Sequence, residues 1–204
     1  MKSDFRMKIL KKVWISSTEK AAKALSEMIQ RDVKVVSTSF RITLLNNLPK
    51  LINSRRVTTT IVYNQIKDDI KGVMLLSSSL RGILKLVEIL LHKKIGYYKV
   101  LSDENIPVIR ELWNVVSGYY LSFLVKLFER GLSWERPTIS TNPGRAIENF
   151  NFGPVYKKKI YVLTFSSVIA IPREVAVQIV LLFKKESMDK LLEAISEKIE
   201  IIAA

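Results

Sequence analysis

The chain repeats its own pattern. The quartet Lys12-Val13-Trp14-Ile15 is matched about 99 residues later by Glu111-Leu112-Trp113-Asn114. The heptad Leu84-Lys85-Leu86-Val87-Glu88-Ile89-Leu90 falls opposite Asp189 to Ile195 at an offset of about 105. Around these anchors one order of elements is predicted twice: helix, strand, hairpin, helix. A single such unit leaves a sheet face and a strand edge uncovered, and two copies sharing one sheet bury what one alone exposes. The expectation is an α+β fold in one domain, 1–204, made of two repeats at about 3–100 and 101–199.

Periodicity supplies the elements. Residues Ser3 to Gln30 read as a first long helix, capped by Ser3 or Asp4, with Phe5, Ile9, Leu10, Val13, Ala21, Leu25 and Ile29 at helical spacing. Ser16-Ser17-Thr18 in its middle are poor helix formers and predict a kink. A strand over 33–45 and a short helical turn at LPKLIN follow. Strands over 57–67 and 70–78, separated by Asp68-Asp69, form a hairpin, and Ser77 to Ser79 cap a helix over 80–94. In the second half a helix spans Asn105 to Gly131, with Asn105 as cap, Pro107 in the first turn and Gly131 as the stop. After it come a strand at 136–141, a looser stretch around Asn142-Pro143-Gly144, a hairpin of 157–171 with 174–184, and a helix over 187–199. The apolar run from Ile160 to Phe183 is interrupted by Pro172-Arg173-Glu174, so it reads as two strands and a turn rather than a membrane span.

Composition narrows the chemistry. No cysteine occurs, which excludes disulfides, thiolate metal sites and a cysteine nucleophile. The N-terminal MKSDFRMKILKKVW carries charge through what a signal peptide needs as an apolar core, so a cytoplasmic chain is expected. Thirty-three Lys and Arg stand against 19 Asp and Glu, a net charge of +14 that favours an acidic partner.

The second long helix holds the candidate site. Glu111 and Asn114 are three residues apart, so on a helix their carboxylate and carboxamide stand side by side, and Pro137 follows at the start of the next strand. The spacing Glu111-x2-Asn114-x22-Pro137 resembles the signature of the CheC/CheX/FliY family of chemotaxis phosphatases, which dephosphorylate the response regulator CheY. KAAKALSEM near the N-terminus, the NVVSGYYLSFL continuation of the helix and the order of elements are also similar to CheC, over roughly residues 4 to 196. The sequence departs from the family pattern at Pro107, where Asp or Ser is usual, and at Trp113, in a motif that commonly reads Glu-Ile-Gly-Asn. The indole has two possible placements, toward the sheet or in the path of a docking partner.

The resemblance implies an antiparallel sheet with two long helices on its outside and two potential sites. Asn114 is then expected to orient a hydrolytic water, Glu111 to pair with the regulator's lysine, and Pro137 to shape the strand start. No cofactor or metal is expected on this chain; Mg²⁺ belongs to the regulator. The first repeat would need Glu, Asn and Pro where it has Lys12, Ile15 and Thr38, so its site is expected to be degenerate. A non-catalytic alternative on the same scaffold binds a response regulator, a CheD-like deamidase or a motor-switch component.

Plainer readings exist for each feature. A Glu/Asn pair alone is what many solvated helix faces carry. His92, the only histidine, lacks a second histidine to share a metal and suits a helix C-terminus. The serines at 77–79 and 166–167 have no histidine for a triad. The basic clusters at Lys2, Arg6, Lys8, Lys11, Lys12 and Lys20, at Lys93, Lys94 and Lys99, and at Lys157 to Lys159 read as solvated faces or, on the first helix, as a docking patch for an acidic protein. They carry no nucleic-acid motif, so nucleic-acid binding is not expected.

Overall fold

The computed structural model describes residues 2–52, 59–68, 70–128, 132–150, 152 and 160–203. In order these form α1 (Lys2–Ile29), β1 (Lys34–Leu44), a 3-10 turn (Leu45–Asn47), α2 (Leu48–Ile52), β2 (Thr59–Ile66), β3 (Gly72–Ser79), α3 (Leu80–Leu90), α4 (Ile106–Phe128), β4 (Thr138–Ser140), α5 (Pro143–Glu148), β5 (Tyr161–Ile171), β6 (Val175–Lys184) and α6 (Lys185–Ala203). Gly131 and Lys157 to Lys159 lie outside the described residues.

The strands make one antiparallel sheet in the order β1-β5-β6-β3-β2-β4. The hairpins β2–β3 and β5–β6 meet at its centre, where β3 pairs with β6. Each outer strand pairs with the hairpin from the other half of the chain, β1 with β5 and β4 with β2. Alternation along the strands then separates two cores. Val62, Met74, Leu76, Phe165, Leu181 and Phe183 face α1, α3, α4 and α6, whereas Ile61, Tyr63, Val73, Leu75, Val180 and Leu182 face a thinner layer that includes α2 and α5. Covered on both faces, β3 needs a nearly unbroken apolar run, VMLL, rather than an alternating one.

Gly72 stands where the two hairpins press together. A Cβ there would lie 2.7 Å from the Leu182 carbonyl oxygen and 2.8 Å from the Phe183 ring. Gly72→Ala is therefore expected to cost about 1–3 kcal/mol, read as a lower urea midpoint at unchanged slope; an unchanged midpoint would mean that the hairpins do not meet this closely.

Several local expectations are corrected. Asn142-Pro143-Gly144 opens a helix: the Asn142 side chain accepts from the Arg145 N–H at 3.1 Å and Pro143 follows at the first helical position. Helix α1 runs on through Ser16-Ser17-Thr18. Thr18 is buried, its hydroxyl bonded to the Trp14 carbonyl at 2.8 Å and to Ser167 Oγ at 2.9 Å, so this polar side chain packs against β5. Asn105 stands directly before α4, its carbonyl accepting the N–H of Ile109 at 3.1 Å, while its side chain accepts from Ser102 N–H and donates to the Val100 carbonyl, bracing the preceding turn. Helix α3 ends at Leu90, short of Lys94, because His92 takes a left-handed conformation (φ 51°) and the N–H of Lys93 turns back to the Glu88 carbonyl at 2.8 Å.

Candidate functional site

Helix α4 buries Ile109, Leu112, Trp113, Val116 and Tyr120 against the sheet and α1. That stripe turns Glu111 and Asn114 outward, where both are exposed, with Asn114 Nδ2 3.5 Å from Glu111 Oε2. Arg110 and Pro107 are exposed on the same helix. The motif pair is thus brought together at the surface, with the carboxylate and both amide functions open to an incoming molecule.

Trp113 settles the open question of its direction. Its side chain is 0% exposed, and the indole N–H donates to Asn64 Oδ1 on β2. Asn64 is itself buried and donates from Nδ2 to the Glu135 carbonyl at 2.7 Å. Glu135 is further held by the Gln65 carbonyl, which accepts its N–H at 2.9 Å, and by Lys67, whose Nζ lies 2.8 Å from its carboxylate. Pro137 follows two residues later, half-buried, directly before β4, which pairs with β2 at Tyr63–Ile61. One hydrogen-bonded chain, Trp113 to Asn64 to Glu135, therefore ties the motif helix to the strand start that carries the motif proline.

Sequence reasoning missed Asn64 and Glu135. The available signal was Asn64 itself, an amide inside the apolar strand TTIVYNQI at the same parity as Val62 and Ile66, which both face the helices.

The first half has the same frame with different outward residues. Trp14 is buried, its indole N–H donates to Ser167 Oγ on β5 at 2.7 Å, and its ring lies 4.5 Å from that of Tyr120 on α4. Each tryptophan of a long helix thus bonds to a strand from the other half. Lys12 and Ile15 are exposed on α1, and Thr38 is half-buried on β1. An ammonium and an isoleucine side chain cannot supply the carboxylate and carboxamide of the α4 face. Nearby, Lys11 stacks over the Phe40 ring at 5.6 Å.

No protein-family model and no curated protein matches the chain in sequence. Solved structures do. A chain of the FliG–FliM complex from H. pylori superposes at TM-score 0.66 with 10% identity, over 92% of this chain and 97% of that one. FliY from Thermotoga maritima gives 0.64 and 15%, over 89% and 91%. A chain of the CheX–CheY–BeF3–Mg complex from Borrelia burgdorferi gives 0.51 and 12%, over 84% and 98%. With a six-stranded antiparallel sheet, two long helices packed together on one face and these likenesses, the chain has the CheC/CheX/FliY-type fold in a divergent form.

Proposed function

We propose that the chain is a CheC-like chemotaxis protein that dephosphorylates a phosphorylated CheY-type response regulator, with Glu111 and Asn114 of α4 as its one working site. The observation that carries this reading is the buried Trp113: with the indole turned into the sheet, nothing on α4 stands between Glu111 and Asn114.

Little chemistry is asked of the chain. The regulator supplies the aspartyl phosphate, its lysine and its Mg²⁺. Asn114 can accept a proton of a water and donate to its oxygen, which holds the water in line with phosphorus. The water oxygen bonds to phosphorus as the aspartyl oxygen–phosphorus bond breaks. The aspartate leaves as carboxylate, and the water's proton goes to the released phosphate or to solvent. Glu111 pairs with the regulator's lysine and fixes the approach. Pro137 and Glu135 hold the strand start beside the helix.

In this reading Lys12 and Ile15 on α1, with Thr38 on β1, form a degenerate second site. The exchange of outer strands between the halves supports residues 3–100 and 101–199 as two repeats of a single domain, 1–204. The +14 charge suits an acidic partner surface, and a cytoplasmic location suits a regulator phosphatase.

Asn114→Ala is expected to slow regulator dephosphorylation by about a hundredfold or more, since the water loses its orientation, while Lys12→Ala and Ile15→Ala leave it unchanged. Phosphoryl loss from the purified regulator, followed with each variant, checks this; full activity in Asn114→Ala would remove the proposed role. A second reading, a non-catalytic binding protein for a regulator, a CheD-like deamidase or a motor-switch component, is favoured by the higher TM-score to the FliG–FliM complex and by Pro107 in the motif. It predicts regulator binding with no change in phosphoryl lifetime.

A further inference from the structure

The turn between α3 and α4 is built more firmly than a connector needs. The carboxylate of Glu88, fully buried, accepts the N–H groups of Gly96 and Tyr98, each at 2.9 Å. Arg81 pairs with that carboxylate at 2.6 and 2.9 Å and also donates to the Tyr98 carbonyl at 3.3 Å. The Tyr98 ring is buried, with its hydroxyl on Glu104 at 2.6 Å, and Gly96 takes φ 97°, which a side chain would strain. The loop is thereby held in one shape from the inside.

What it holds outward is unusual. Ile95, Tyr97 and Val100 are 45%, 56% and 65% exposed, within six residues. His92, Lys93, Lys94 and Lys99 are exposed around them, Lys93 lies 5.1 Å over the Tyr97 ring, and no acidic residue occurs between Glu88 and Asp103. Single exposed apolar residues are ordinary; three on one rigid, basic turn are not. An acidic protein would satisfy the lysines, yet a stable protein interface takes about 800 Å² from each partner, more than so short a turn presents. A bilayer surface accepts a small exposed turn: apolar and aromatic side chains enter the headgroup boundary, and lysines reach anionic phosphates.

We propose that the α3–α4 turn is a membrane-surface anchor, in which Ile95, Tyr97 and Val100 enter the interface of an anionic phospholipid bilayer and Lys93, Lys94 and Lys99 bind its headgroups. This is a contact with one leaflet. No helix among the described residues is long and apolar enough to cross a membrane.

The test is co-sedimentation of the full chain with vesicles of phosphatidylcholine, alone or mixed equally with phosphatidylglycerol, at physiological salt. Binding to the mixed vesicles alone is expected. Tyr97→Ser with Val100→Ser, which leaves the charge untouched, is expected to weaken it about tenfold or more. Lys93→Glu with Lys94→Glu is expected to weaken it about a hundredfold or more, and the same reversal at Lys12 and Lys20 of α1 far less. Each altered side chain is exposed, and thermal melts of the variants confirm folding. Three results would overturn the proposal: no binding to mixed vesicles; equal losses from both charge reversals with none from the serine pair, which would assign binding to net charge; or retention on polyglutamate resin without sedimentation, which would assign the turn to an acidic protein.

Discussion

Trp113→Ala is expected to lower stability by about 3–5 kcal/mol, the cost of emptying a large, fully enclosed aromatic site. The indole lies among Ile109, Leu112, Val116 and the sheet residues Val62 and Leu76, so little around it can collapse into the space. The loss is also polar. Asn64 is left buried without the donor to its Oδ1, and the chain that leads on to Glu135 and the Pro137 strand start is cut. Trp113→Phe keeps an aromatic ring in the site but removes the N–H together with part of the indole's volume; about 1–3 kcal/mol is expected, less than for the alanine variant. Urea unfolding of the three proteins measures both. A cost under 1 kcal/mol for the alanine variant would mean that the indole is not the anchor of α4.

The second large effect concerns Glu88. Its carboxylate is buried yet ionised, because the guanidinium of Arg81 and then the N–H groups of Gly96 and Tyr98 hold it down to about 2 against the opposing effect of burial. Its ordinary value is 4.5. A carboxyl that binds its proton more weakly folded than unfolded stabilises the protein fully above the unfolded value and loses that contribution as pH falls through the folded one. The window therefore runs from about pH 4.5 down to about 2. The full difference corresponds to roughly 2–3 kcal/mol at neutral pH, taken at the low side because Arg81 is half exposed to water. Glu88→Gln is expected to lose most of this and to flatten the fall in stability across that window. Glu88→Ala, which also strands two loop N–H groups, is expected to cost about 3–5 kcal/mol. Denaturant unfolding at stepped pH reads both, and an equally steep acid limb in the glutamine variant would contradict the assignment.

The sequence made the order of elements and the exposed acid–amide pair legible, because both depend on short-range period. The stripe Ile109, Leu112, Trp113, Val116, Tyr120 already contains the direction of Trp113 when read at 3.6 residues per turn, even with the indole lying between the two motif residues. Helix α5 was equally local: Asn142 and Pro143 are start signals, masked by the neighbouring Gly144. What composition could not reveal is non-local. The pairing of β1 with β5, the second core between the sheet and the layer containing α2 and α5, and the Trp113–Asn64–Glu135 chain each join residues whose partners are set by the sheet order. The Glu88 clamp is local, with Arg81, Gly96 and Tyr98 all within ten residues, but it was masked because a glutamate in an amphipathic helix ordinarily reads as solvated.

The α4 face either acts on a phosphoryl group or only binds its partner. The most direct measurement is the lifetime of the aspartyl phosphate on a purified CheY-type regulator with Mg²⁺, with and without substoichiometric amounts of the unaltered chain. The proposed site predicts a shortened lifetime with many phosphates released per chain. An unchanged lifetime at concentrations where the chain demonstrably binds the regulator's BeF3–Mg²⁺ form would contradict it and leave α4 a docking surface.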